Sequence, residues 1–208
     1  MADQPWSQAS IVLVRHGDTE WSIAGRHTSF TDVAMTRSGR EQAWALGSRL
    51  VSKGLVSEGL VSDEGASLHF SLVLTSPRAR AIETCMLAGF GEHAEIDEDL
   101  AEWDYGEYEG LTTAVIRERV PMWTIFTHGA PGGETAERVG ARADRVIARA
   151  AAAGGPVLLF SHAHFLRVLG ARWLGLPPIG GRVLGLDTAT ISSLGYERQQ
   201  RVLCSWNC

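Results

Sequence analysis

Arg15, His16 and Gly17 follow directly on the apolar run Ile11-Val12-Leu13-Val14. Arg78 and Arg80 come just after Leu72-Val73-Leu74, and His162 just after Val157-Leu158-Leu159-Phe160. Cations and donors of this kind suit transfer of a phosphoryl group, which carries two negative charges and three equatorial oxygens. The arginine fork stays charged and grips two oxygens at once. A neutral imidazole at His16 is a candidate nucleophile, because the charge of Arg15 disfavours its protonation and keeps a lone pair available. Gly17 would let the backbone approach the anion. Taken singly, an arginine after a strand is an ordinary ion-pair residue and a lone histidine is more often structural. Recurrence at three run ends favours a shared site.

The elements that must position these residues are legible from their spacing. The three runs are short, apolar and followed by polar turns, the pattern of strands buried on both faces. Between them lie segments of helical period: Gly39 to Val51 behind a Thr36 N-cap, Arg80 to Ala88, Leu111 to Arg119, Thr135 to Ala153 and His164 to Leu174. Alternation of strand and helix predicts an α/β fold, a mostly parallel sheet between two helical layers, with ligands bound beyond the carboxyl ends of the strands. After Pro177-Pro178 the pieces Arg182 to Leu186, Ala189 to Tyr196 and Arg201 to Trp206 read as antiparallel edge strands. Gly54 to Gly65 reads as a solvated surface loop.

With 208 residues, 45% of them hydrophobic, the chain has the size of one domain spanning residues 1–208. A net charge of -5 without a basic run argues against a nucleic-acid partner. The first residues hold no apolar stretch of signal-peptide length, and no segment approaches a membrane span. Cys85, Cys204 and Cys208 are odd in number and lack metal-ligand spacing, which fits reduced thiols in the cytoplasm and no zinc cofactor.

Four ordered blocks carry a family resemblance: Leu13-Val14-Arg15-His16-Gly17-Asp18-Thr19-Glu20-Trp21, Ser76-Pro77-Arg78-Ala79-Arg80-Ala81-Ile82-Glu83-Thr84, Ala101-Glu102-Trp103-Asp104-Tyr105-Gly106 and Ser161-His162. They resemble the signature blocks of the histidine phosphatase (phosphoglycerate mutase-like) superfamily. The resemblance implies a phosphohistidine at His16, a phosphate pocket of Arg15, Arg80 and His162, a proton donor at Glu102, and no metal or other cofactor. In the matching pattern Arg80 is the pocket arginine, which leaves Arg78 as a rim contact. Residue chemistry alone does not single out Glu102, since Asp97, Glu98, Asp99, Asp104, Glu107 and Glu109 crowd the same stretch.

Some positions depart from the commonest pattern. Ala163 replaces a glycine often found after the second histidine, which would narrow the pocket, and Ser22 stands where the mutases usually have asparagine. The stretches around Trp21-Ser22, Trp103 to Gly110 and Gly132-Gly133-Glu134 look most like a subgroup that includes sedoheptulose-bisphosphatase-like proteins and actinobacterial acid phosphatases. The short interval from Glu102 to His162 lacks the long insertion of the mutases, so water is the expected acceptor and a small phosphate ester the expected substrate. A phosphoglycerate-type mutase is the alternative, and a catalytically silent phospho-ligand binder a third reading. Arg26, His27, Thr28 and Ser29 are expected to meet the substrate's non-reacting end, with Arg26 and His27 tolerating a second anion. Trp123 to Glu134 is the candidate lid, its aromatics equally readable as core.

Overall fold

The computed structural model describes residues 9–52 and 70–208. One sheet contains β1 (Ala9–Arg15), β2 (Leu72–Thr75), β3 (Ala94–Ile96), β4 (Val157–Ser161), β5 (Ile191–Glu197) and β6 (Gln200–Ser205). Its order is β3-β2-β4-β1-β5-β6. The first four strands run parallel, and β5 and β6 join antiparallel beyond β1.

Strands that are apolar throughout still sort their side chains with a period of two. Ile11 and Leu13 of β1 and Val157 and Leu159 of β4 enter one core; Val12, Val14, Leu158 and Phe160 enter the other. The first core is closed by α6 (Ala136–Ala152) and α7 (Ala163–Trp173), through Val139, Val146, Phe165 and Leu169 among others. The second is closed by α2 (Arg37–Ser52) and α3 (Ala79–Leu87), through Leu46, Leu50 and Cys85. The result is the expected three-layer α/β/α arrangement. Truncating a central residue such as Leu159, which is 0% exposed, to alanine costs about 2–5 kcal/mol.

Helix starts follow local chemistry. The Thr36 hydroxyl accepts from the Gly39 amide at 3.0 Å ahead of α2, and Thr135 caps α6 through the Arg138 amide. Thr112 caps α4 (Thr113–Arg119), so the helix expected from Leu111 begins two residues later. The strand expected over Arg182 to Leu186 is absent: Pro178–Val183 forms 3-10 turns. Proline fixes the chain there, and the Gly181 backbone packs so closely on Arg167 that a Cβ would lie 2.9 Å from its carbonyl carbon. β3 and the one-turn helices α1 (Glu20–Ile23) and α5 (Ile125–His128) carried no periodic signal. The expected loop Gly54 to Gly65 lies outside the described residues.

Trp123 and Phe126 are core residues, 1% and 6% exposed. The Trp123 indole donates to Gly129 O at 2.8 Å and the Trp103 indole to Glu134 O at 3.0 Å. The first bond closes the candidate lid on itself, and the second ties its Glu134 end to the body.

Candidate active site

Register brings the sequence candidates together. Arg15 pairs with Ser161 and Thr75 with Phe160, so β1, β2 and β4 end almost level. The residues that emerge next are His16, Ser76 and His162. The His16 and His162 ring centroids lie 5.1 Å apart at 61°. His16 Nδ1 is 2.8 Å from Gly17 O. A carbonyl only accepts, so Nδ1 carries the proton and Nε2 keeps its lone pair. Ser76 Oγ lies 2.7 Å from His162 Nε2 and accepts from the Arg78 amide at 3.3 Å.

Arginines wall the site. Arg15 donates to Leu186 O at 2.6 Å. Arg80, 1% exposed, reaches across to a loop, where Nη1 donates to Thr31 O and Nη2 to Thr28 O and Ser29 O at 3.1 to 3.3 Å. The same loop is held from behind by Glu109, which accepts from the Ser29 and Thr31 amides. Arg78 lies over the Phe30 ring at 4.7 Å, at the rim. Among the described residues, the buried side-chain nitrogens and oxygens without any hydrogen-bond partner are Arg15 Nε, Arg78 Nε, Arg80 Nε and His162 Nδ1. All four belong to this site.

Burial, then Arg80 and Arg15, holds the His16 pKa well below its usual 6.5. His162 is shifted the same way by burial, Arg80, His16, Arg15 and Arg78. Burial and these charges favour the neutral His162 ring, against the positive charge that sequence reasoning ascribed to it. His16 is itself buried, 5% exposed.

Glu102 separates from its acidic neighbours by position. Its Oε1 accepts from the Trp103 and Phe165 amides, each at 2.9 Å, and Oε2 from the His164 amide at 3.1 Å. It thus supplies the first turn of α7 with the acceptor that His162, the N-cap, does not provide. Asp97 pairs with Arg149 and Asp99 with Arg145, Asp104 accepts from the Gly106 amide, and Glu98 and Glu107 face solvent. Arg142 clamps the Glu102 segment through Asp99 O and Ala101 O at 2.6 and 2.9 Å.

Several expected contacts serve the scaffold instead. The Gly17 amide donates to Thr84 Oγ1 at 3.1 Å, and a Cβ on Gly17 would lie 2.3 Å from Gly39 O, so glycine is needed for packing on α2 rather than for an anion. The Ser22 hydroxyl closes a capping box with Thr19, a local use that takes its one donor and one of its acceptor lone pairs. The Thr28 and Ser29 carbonyls receive Arg80, and Ser29 is 2% exposed. Ala163 is the first residue of α7, beside His162. Arg26 is exposed, whereas His27 is buried, its pKa lowered by that burial to about 4, so it offers no second charge for an anion. His162 and His164, two residues apart, face different groups: the first faces Ser76, and the second places Nδ1 2.6 Å from the Tyr105 hydroxyl. Sequence reasoning missed Ser76, Thr84, Tyr105 and Arg142 as positioning residues. Ser76 and Thr84 stood inside the second block with nothing to mark them.

Comparison with known proteins agrees with this geometry. The sequence pattern of the histidine phosphatase superfamily (branch 1) matches residues 11–208. An acid phosphatase of Mycobacterium tuberculosis is 42% identical over 93% of this chain and 89% of its own length. Sedoheptulose 1,7-bisphosphatase of Saccharomyces cerevisiae is 33% identical over 79% of this chain and 67% of its own. A phosphoglycerate mutase of Parvibaculum lavamentivorans also matches, at 33% over 90% of this chain and 89% of its own. A solved structure of a Mycobacterium tuberculosis open reading frame superposes with a TM-score of 0.84 and 40% identity, covering 95% of this chain and 96% of that one. The chain belongs to the histidine phosphatase superfamily.

Proposed function

We propose that this phosphatase hydrolyses a small phosphomonoester of the sugar phosphate or bisphosphate kind through a phosphohistidine on His16 Nε2. The observation that carries the reading is the set of four unpartnered buried nitrogens around the His16–His162 pair, a cluster that an anion with several oxygens would satisfy. The His16 Nε2 lone pair forms a bond to phosphorus as the ester P–O bond breaks, and Glu102 gives a proton to the departing oxygen. Arg15, Arg80 and the His162 Nδ1–H hold the three equatorial oxygens, with Arg78 at the rim. Glu102 then takes a proton from water, which attacks phosphorus and returns the electron pair to Nε2.

The acid phosphatase relative favours hydrolysis and the sedoheptulose bisphosphatase relative a sugar phosphate, and the arginines supply positive charge without a metal. The unpaired cysteines fit a cytoplasmic setting, and no described helix is long and apolar enough to cross a membrane. Neither nucleic acid nor membrane is a partner in this reading.

The test is a panel of sugar mono- and bisphosphates, scored for free phosphate with alkaline quench of the base-stable phosphohistidine. Release of phosphate, a trapped phosphoenzyme, and loss of both in His16→Ala are expected, with turnover unchanged by chelators. Return of the phosphoryl group to organic product would favour the mutase, and turnover that survives in folded His16→Ala would overturn the mechanism.

A further inference from the structure

A second cavity, of about 170 Å³, lies beside the site and is lined by Arg117, Arg167, Arg182, His27 and His164 over a floor that includes Phe126. That is room for about five waters. None of its lining residues is acidic. Among the described residues none of the three arginines has a carboxylate within salt-bridge distance, whereas Arg142, Arg145, Arg149 and Arg172 all do. Arg117 and Arg167 are nonetheless held in place. Arg117 Nε donates to Trp123 O at 2.9 Å, and Arg167 donates to Gly181 O and Arg182 O while lying 4.7 Å over the Phe126 ring. Burial lowers the Arg167 pKa even with Glu102 nearby to raise it, so a charge is held there at a cost that a bound anion would offset.

His164 joins this cavity to the catalytic carboxylate. Its amide donates to Glu102 Oε2 at 3.1 Å, and its ring is a wall of the cavity. If Glu102 protonates the departing oxygen, whatever that oxygen carries extends past Glu102, toward His164. We propose that Arg117, Arg167 and Arg182 form a second anion site that takes the distal phosphate or carboxylate of the leaving group. This rests on the phosphatase reading above and narrows it to substrates with an anion at each end, such as sugar bisphosphates.

Two measurements test it. Equilibrium dialysis of inorganic phosphate against the whole protein should find two sites per chain, falling to one in Arg117→Gln/Arg182→Gln, both of whose side chains are exposed. Binding does not depend on turnover, so this arm survives failure of the catalytic reading. One site in both proteins would overturn the proposal. In the kinetic arm, the double variant should lose about 10- to 100-fold in kcat/KM for fructose 1,6-bisphosphate while p-nitrophenyl phosphate, which has no distal anion, changes less than about 2-fold. Equal losses on both would mean a general defect and overturn it. A lost phosphate site with unchanged bisphosphate preference would overturn the assignment to the leaving group and mark a site for a free anion.

Discussion

Ser76 and His162, 86 residues apart in the chain, meet through a 2.7 Å Oγ to Nε2 hydrogen bond at the base of the phosphate pocket. A Ser76 proton directed at Nε2 would put the ring proton of neutral His162 on Nδ1, the unpartnered nitrogen. In that arrangement Ser76 is a positioning residue that selects the donor tautomer. Ser76→Ala should lower kcat/KM about 10- to 100-fold, the worth of a buried donor or acceptor left unsatisfied. Nitrogen NMR should find the His162 proton on Nδ1 in the wild type and on both nitrogens in the variant. A ring that keeps one tautomer without Ser76 would show the bond to be incidental.

The His16 prediction concerns protonation. Burial and the charges of Arg80 and Arg15 disfavour imidazolium and hold the His16 pKa well below 6.5. Removing one of those charges makes proton uptake easier, so Arg80→Gln should raise the His16 pKa. Histidine-selective NMR titration should show no His16 midpoint near 6.5 in the wild type and an upward shift in the variant. A wild-type midpoint near 6.5 would mean that the pocket does not tune this group.

Stability should fall with acid, and His27 sets a measurable share. Its pKa is about 4 when folded against 6.5 when free, so between those values the unfolded chain binds the extra proton. The stabilisation is complete above pH 6.5 and is lost as pH falls toward 4, about 3 kcal/mol at most from this one residue. His16, His162 and His164, all shifted downward by burial first, add in the same direction. Urea midpoints measured at pH 7 and pH 5 should converge in His27→Gln relative to the wild type. Equal pH dependence in the two proteins would show that His27 is not held neutral.

What the sequence made legible, and what it hid, follows from how local each cause is. The runs at 11–14 and 157–160 announce buried strands because burial on both faces needs no partner to be identified. Thr36 and Thr135 announce helix starts because a cap is satisfied within three residues. The strand expected at Arg182 to Leu186 failed because packing of the Gly181 backbone on α7, a tertiary contact, decided the conformation. Glu102 stood out from its neighbours only through the family block. What distinguishes it physically is reception of the His164 and Phe165 amides, residues more than 60 positions away. The Ser76–His162 bond depends on β2 and β4 lying in register, which no local pattern encodes. The second anion cavity draws its arginines from α4, α7 and the 178–183 turns, and none of the three belongs to a recognisable motif.

The last prediction separates the proton-transfer role of Glu102 from its structural one. Both carboxylate oxygens accept backbone amides, so Glu102→Gln sets its NH₂ against an amide donor and should cost about 1–3 kcal/mol of stability whatever Glu102 does in catalysis. Simple loss of activity would therefore prove little. The leaving group supplies the discrimination, because an alkoxide needs a proton to depart and p-nitrophenolate does not. Within the same variant the structural loss is common to both substrates and cancels in their ratio. Glu102→Gln should slow phosphohistidine formation from an alkyl phosphate by about 10²- to 10⁴-fold. The p-nitrophenolate burst, followed by rapid mixing, should be slowed far less. Hydrolysis of the phosphohistidine should then be slow with either substrate, since the same carboxylate is needed to draw a proton from water. Asp104 spends an oxygen on the Gly106 amide, and Asp104→Asn should show no leaving-group dependence. If Glu102→Gln slows both first steps equally, or if Asp104→Asn shows the dependence instead, the proton donor is another group.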